Sequence, residues 1–307
     1  MGYHNFEELL EGVPAQRVPM AVAAAGDCEV LSAVKEAEQR GWIEATLVGG
    51  RASIAAAARE VGYDLDERRI VDEPDERAAA RTAVDLVHAG RARMLMKGLI
   101  ETSDFLRAIL DKGHGLRSGR KISHLAALED TSHHRIYFLS DAAVNVQPDL
   151  LTKVEIVRNA VEAMHALGIE EPRVAALAAI ELVDPAMPAT VDAANLAKMG
   201  DRGQIPGCIV DGPLAFDNAI SAEAAAHKGI TSLVAGRPDL LFVPDIEAGN
   251  ILYKAFTYFQ GARVAGILLG ARCPVVLTSR SDLPEAKLFS IGLGMRVASG
   301  SASKVRQ

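Results

Sequence analysis

The feature that most constrains this chain is its rhythm. Short β-type runs alternate with longer helical ones at least seven times, the signature of βαβ units built on a mostly parallel sheet. Residues 20–24, 45–48, 69–71, 94–96, 174–178, 208–210, 240–243, 264–268 and 275–277 read as strands. Helices are expected over 29–40, from 53, over 74–89, 104–112, 148–167, 188–199, 218–227 and 248–259, and again after the last strand. The rhythm breaks once, where runs 122–128 and 135–139 flank only the polar stretch 129–134. A hairpin is the simplest account of that break, and it is a natural domain junction.

At 307 residues the chain exceeds the length at which single cores stop growing, so two domains and a cleft between them are expected. The charge of −7 and pI near 5.7 argue against nucleic acid or an acidic membrane as partner, since both need a broad positive field. An anionic ligand must then rely on a few local cations. Cys28, Cys208 and Cys273 form no CxxC pair, so neither a disulfide framework nor a zinc site is indicated, and a reducing cytoplasm fits. The N-terminus lacks a basic head with an apolar core, and the longest apolar stretches fall well short of a membrane span. With Phe6 where a hydroxyl residue is wanted, Gly2 does not read as a lipidation site.

Chemistry concentrates at strand ends. After the apolar run Val275-Val276-Leu277, Ser279 and Arg280 fall in a strand-to-helix loop, with Asp282, Pro284 and Glu285 as helix-start signals. Ligands of open α/β sheets bind beyond the carboxyl ends of the strands, and an arginine fork beside helix-start amides suits a phosphate or acyl oxygen. Lys97-Gly98 follows the strand at 94–96, and Thr102, Ser103 and Arg107 lie at the start of the next helix, a second candidate anion site. Solvated charges are the alternative for Lys97 and Arg107. Two further loops carry polar groups: Asp211 to Asp217, with a Gly-Pro turn and Asp217 placed to cap a helix, and the stretch Asp245-Ile246-Glu247-Ala248-Gly249-Asn250. Their acids serve either a cationic group or the following helix dipole. His124 alternates with apolar neighbours, and His133-His134 lack the i, i+4 spacing of a metal pair, so no catalytic metal is expected. GxxxxGK[ST], GxSxG and a well-placed GxGxxG are all absent, which disfavours nucleotide hydrolysis and an ordinary Rossmann dehydrogenase.

Taken together, MKGLIETSDFLRAIL at 96–110, ISHLAALE at 122–129, DGPLAFDNAIS at 211–221 and the long block from VPDIEAGNILYK through TSRSDLPEAK at 243–287 resemble the phosphate acetyltransferase and phosphate butyryltransferase family, more so its butyryl branch. The resemblance spans nearly the whole chain. It implies two α/β/α domains with mostly parallel sheets and an interdomain cleft, as in the isocitrate/isopropylmalate dehydrogenase-like superfamily. The boundaries would run 1–140 plus 282–307 for one domain and 141–281 for the other.

The activity implied is reversible transfer of a short-chain acyl group between coenzyme A and inorganic phosphate, by direct transfer in a ternary complex and without a metal, in a homo-oligomer that is at least a dimer. By the same resemblance Ser279, Arg280 and Arg107 are catalytic. Lys97, Gly98, Thr102, Ser103, Asp211, Asp245 and Asn250 are candidates for holding coenzyme A. One correspondence fails: the aspartate thought to act as base in phosphate acetyltransferases falls at Ala286. Asp282 and Glu285 are the nearest acids, but both also serve the helix start. A phosphate acetyltransferase, an acyl-CoA-binding relative without catalysis, and a metal-dependent dehydrogenase remain the alternatives.

Overall fold

A computed structural model describes residues 2–11, 16–278 and 284–304, with side chains of the last helix followed through residue 300. In chain order the elements are α1 (Phe6–Leu9), β1 (Val18–Ala23), α2 (Cys28–Gln39), β2 (Ile43–Gly49), α3 (Arg51–Glu60), β3 (Ile70–Asp72), α4 (Glu76–His88), β4 (Met94–Lys97), α5 (Thr102–Ile109), β5 (Ser123–Asp130) and β6 (Arg135–Ser140). There follow α6 (Leu150–Ala166), β7 (Arg173–Leu177), α7 (Pro188–Asp201), β8 (Ile209–Leu214), α8 (Phe216–Ile220), α9 (Ala222–His227), β9 (Leu240–Phe242), α10 (Ile246–Phe259), β10 (Val264–Leu269), β11 (Val275–Val276) and α11 (Pro284–Lys304).

The alternation read from the sequence is therefore the architecture, an α/β fold with mostly parallel strands. Each strand expected is present, and the break in rhythm is the antiparallel hairpin β5–β6. Three details differ. Asp211 to Leu214 continue β8 instead of forming a turn after it. The helix expected over 218–227 is two short helices, α8 and α9, separated at Ser221, whose hydroxyl caps the second. Asp217 sits in the first turn of α8 rather than capping it, and pairs with Lys228.

Two compact units emerge: Leu10–Arg120 with Ala265–Gln307, and Met1–Leu9 with Lys121–Val264. The first has strand order β3-β2-β1-β4-β11-β10 and the second β5-β6-β9-β7-β8. These divisions differ from the boundaries expected near 140 and 281. The hairpin belongs wholly to the second unit because β6 pairs in parallel with β9, Phe138 opposite Leu240. The chain returns early to the first unit because β11 pairs with β4 and with β10. In the first unit Ala21, Val22, Leu47, Leu95, Met96 and Val276 are all fully buried, as strands covered on both faces must be. Aspartates cap the helices that follow several strands: Asp27 for α2, Asp75 for α4 and Asp245 for α10, each accepting from an amide three residues on.

The first nine residues, expected with the domain running 1–140 plus 282–307, group instead with the second unit. Phe6 is fully buried, its amide donates to the Glu129 carboxylate at 2.9 Å, and Arg263 bridges Glu7 and Glu129 at 2.6–2.7 Å. Glu129 is buried, and that guanidinium is the opposite charge beside it. Arg263→Ala is expected to cost about 2–3 kcal/mol, below the usual range for a broken buried pair because Arg263 is itself partly solvated. Urea unfolding with an unchanged m-value checks it.

Among the described residues no helix is long and apolar enough to cross a membrane, and no group of three or more His, Cys, Asp or Glu is placed to hold a metal ion.

Candidate active site

In the first unit β1, β4 and β11 run parallel, with Ala23 opposite Lys97 and Val276 opposite Met96. Parallel register puts their carboxyl ends on one edge, so the segments that follow them converge. A cavity of about 150 Å³ opens there, lined by Asp27, Glu29, Lys97, Gly98, Thr278 and Lys287 among others. This is the crevice in which an open α/β sheet holds its ligands.

Lys97, the last residue of β4, is 5% exposed. Its Nζ donates to the carbonyls of Gly98 at 3.2 Å and Ile100 at 2.9 Å, so the alternative of a solvated charge does not hold. An ammonium kept at a cavity wall by backbone carbonyls is pre-aimed, and in a low-dielectric setting its field on an anion is much stronger than in water. Gly98 makes the turn feasible. A Cβ there would lie 2.3 Å from the Ala24 carbonyl and 2.6 Å from that of Ala23, because the Gly98 and Leu99 amides both donate to the end of β1. Gly98→Ala should push these backbones apart, cost about 1–3 kcal/mol and displace Lys97. A thermal melt together with an activity assay tests this.

The acids of the cavity differ in role. Asp27 caps α2, its carboxylate accepting from the Val30 amide at 2.9 Å. Glu29, in the first turn of α2, accepts from Lys287 at 2.7 Å. Lys287, in the first turn of α11, is 4% exposed. None of Asp27, Glu29, Thr278 and Lys287 was singled out in the sequence. The strand-end logic used elsewhere, applied to the loop after β1, would have found the first two. Nothing in a helical lysine flags Lys287.

The other candidates fall in different places. Ser279, Arg280 and Asp282 lie outside the described residues. Arg107 sits in the last turn of α5, not the first, since that helix starts at Thr102 and stops at Ile109. It is largely exposed, pairs with Asp104, and is not among the residues lining the cavity. Asp104 also accepts from Arg77 at 2.8 Å, and the Arg77 guanidinium, with Arg107 beside it, holds this carboxyl below the usual carboxylate range. Thr102 and Ser103 are exposed at the start of α5, and Glu285 is exposed in the first turn of α11.

Asp211, Asp245 and Asn250 belong to the second unit. Asp211 accepts from the neighbouring Gly212 amide at 2.8 Å, and Asp245 caps α10 by accepting from Ala248 at 2.9 Å. Asn250 donates to the Ala142 carbonyl at 3.3 Å. These bonds explain the VPDIEAGN stretch as a helix start fitted onto the loop after β6. The fit is tight enough that a Cβ on Gly249 would lie 2.6 Å from the Asp141 carbonyl. His124 is buried in β5, edge-on to Tyr253 at 6.4 Å.

The described thiols are shifted toward the protonated form. Burial pushes Cys273 up to about 12 and Cys208 up to about 11, and Cys28, beside the cavity acids, is raised by desolvation and then by Glu60. Thiolate chemistry needs the opposite shift.

A family model described as phosphate acetyl/butaryl transferase matches residues 76–293. The chain is 48% identical over 295 residues to a phosphate butyryltransferase of Clostridium acetobutylicum, covering 96% of this chain and 98% of that protein. It is 44% identical to a phosphate acetyltransferase of Rhizobium meliloti, over 93% of this chain and 91% of that one. Among solved structures, a branched-chain phosphotransacylase from Enterococcus faecalis superposes with a TM-score of 0.80 at 35% identity, covering 92% of this chain and 99% of the other.

Proposed function

Since the chain belongs to the phosphate acetyl/butaryl transferase family, we propose that it moves a short-chain acyl group reversibly between coenzyme A and inorganic phosphate, by direct transfer in a ternary complex. The observation that carries this reading is the cavity at the ends of β1, β4 and β11, where buried Lys97 faces the chain at Thr278, directly before Ser279 and Arg280.

In the direction of acyl phosphate formation, a phosphate oxygen attacks the thioester carbonyl carbon. The carbon–sulfur bond then breaks, and the thiolate leaves and takes up a proton. Negative charge accumulates on the carbonyl oxygen, on the phosphate and on sulfur, so cations and donors fixed in place are what this reaction needs. In our reading Arg280 and Arg107 hold phosphate through paired N–H donors and Ser279 donates to the carbonyl oxygen. Lys97 supplies a fixed positive field. Aligning two bound reactants itself contributes several kcal/mol, about 7–11 in favourable intramolecular cases. With thiols of raised pKa, an acyl-cysteine intermediate is not part of the proposal. Coenzyme A and phosphate are its substrates, and a homo-oligomer, at least a dimer, is its assembly, to be checked by light scattering.

The decisive assay is release of thiol from butyryl-CoA by the purified chain, with and without phosphate, and trapping of acyl phosphate as the hydroxamate. Release that depends on phosphate and yields hydroxamate is expected. Release without phosphate would make the protein a hydrolase, and binding without release a carrier. Relatives named for acetyl and for butyryl transfer are both close, so kcat/KM across acyl lengths from two to five carbons assigns the chain preference. A pocket discriminates neighbouring lengths by about 10- to 200-fold per methylene.

A further inference from the structure

The resemblance to phosphate acetyltransferases leaves this chain without its proton acceptor, because the corresponding position is Ala286, a methyl side chain only 6% exposed in the first turn of α11. Some group must still take the proton of the coenzyme A thiol when acyl phosphate is the donor, since a thiol near 8.5 is mostly protonated at neutral pH. The cavity offers two carboxylates. Asp27 is engaged as the cap of α2. The Glu29 carboxylate is half exposed, its Oε2 held by Lys287 at 2.7 Å, and its Oε1 has no hydrogen-bond partner among the described residues.

We propose that Glu29 is the group that receives the thiol proton and that Lys287 is its positioning residue; this rests on the transferase reading above. One residue after Ala286, α11 presents a buried ammonium that fixes an acid from α2 at the cavity. The step balances. The sulfur–hydrogen bond breaks and the proton passes to Glu29 Oε1, while the sulfur electron pair forms a bond to the acyl carbon. The carbon–oxygen bond to phosphate breaks, and phosphate leaves with that pair. In reverse, protonated Glu29 returns its proton to the departing thiolate.

The groups around Glu29 fit the task. Lys287 comes from α11 and Lys97 from the end of β4, and both ammoniums favour a thiolate at the cavity. Asp27 and Cys28 flank it on its own element, and Glu60 of α3 lies against Cys28. The pair also sets an opposite charge beside the buried Lys287 ammonium.

The test uses the full chain, butyryl phosphate and coenzyme A, following thioester formation between pH 6.5 and 9.5. Glu29→Gln should lower kcat about 10²-fold or more at pH 7, with KM for butyryl phosphate changed less than about threefold. The deficit should shrink as pH rises past about 8.5, where the thiol ionises unaided. Glu29→Asp should recover part of the loss. Lys287→Met should lower kcat about 10-fold while keeping the wild-type shape of the pH profile. If Glu29→Gln does not fold, the double variant Glu29→Gln, Lys287→Met removes both charges and is read in the same way. Wild-type kcat in Glu29→Gln, or a deficit that is the same at every pH, overturns the assignment alone. A wild-type protein that makes no thioester from any acyl phosphate of two to five carbons overturns the transferase reading and this proposal with it.

Discussion

Arg280→Ala should lower kcat by about 10²- to 10³-fold, the usual cost of removing one donor aimed at developing charge. Ser279→Ala should do the same through the carbonyl oxygen. Both residues fall where the family resemblance places the serine and arginine of its TSR motif, immediately after Thr278 at the wall of the cavity. Arg280→Lys should rescue little, because a lysine is a compact point charge and cannot offer the planar pair of N–H groups that matches a phosphate. Melting temperatures should stay within about 2 °C of wild type, as expected where side chains serve a ligand more than the core. Steady-state kinetics on butyryl-CoA and phosphate give the answer, and near-normal turnover in both alanine variants would sink the assignment.

Lys97→Met carries the second large effect. Methionine fills similar volume without the charge, so the cavity keeps its shape and loses its buried cation. Here kcat/KM for phosphate should drop about 10²-fold, with KM for butyryl-CoA moving much less. The carbonyls of Gly98 and Ile100 also lose their donor, which should cost about 1–3 kcal/mol of stability. Denaturant unfolding alongside the kinetics separates the two. A variant that unfolds earlier but still handles phosphate normally would show Lys97 to be a brace for the turn and nothing more.

The strand and helix order was legible because it is a local property: a run such as Met94-Leu95-Met96 declares its own burial. Pairing is not local. Whether the hairpin β5–β6 joins one unit or the other depends on Phe138 meeting Leu240, a hundred residues away, and no periodicity encodes that. Gly212-Pro213 reads as a turn, yet β8 runs through it beside β7, so turn chemistry misplaced that strand end. The same divide runs through the site. Lys97 and Gly98, which line the cavity, were legible because they sit at a strand end. The Glu29–Lys287 pair was not, since its members are 258 positions apart and each alone looks like an ordinary helical charge. Asp245 and Asn250 form a conspicuous polar motif, and their described bonds go to a helix cap and a neighbouring loop.

Because the first unit takes residues 10–120 and 265–307 and the second 1–9 and 121–264, neither unit is a continuous piece of polypeptide. On the ribosome, β4 cannot gain its second neighbour until β11, at residues 275–276, emerges. Until then β4 has an open edge, the kind of surface that recruits other chains. Late emergence of the closing strands should therefore make co-translational yield sensitive to temperature and expression rate, even for variants whose finished form is as stable as the parent.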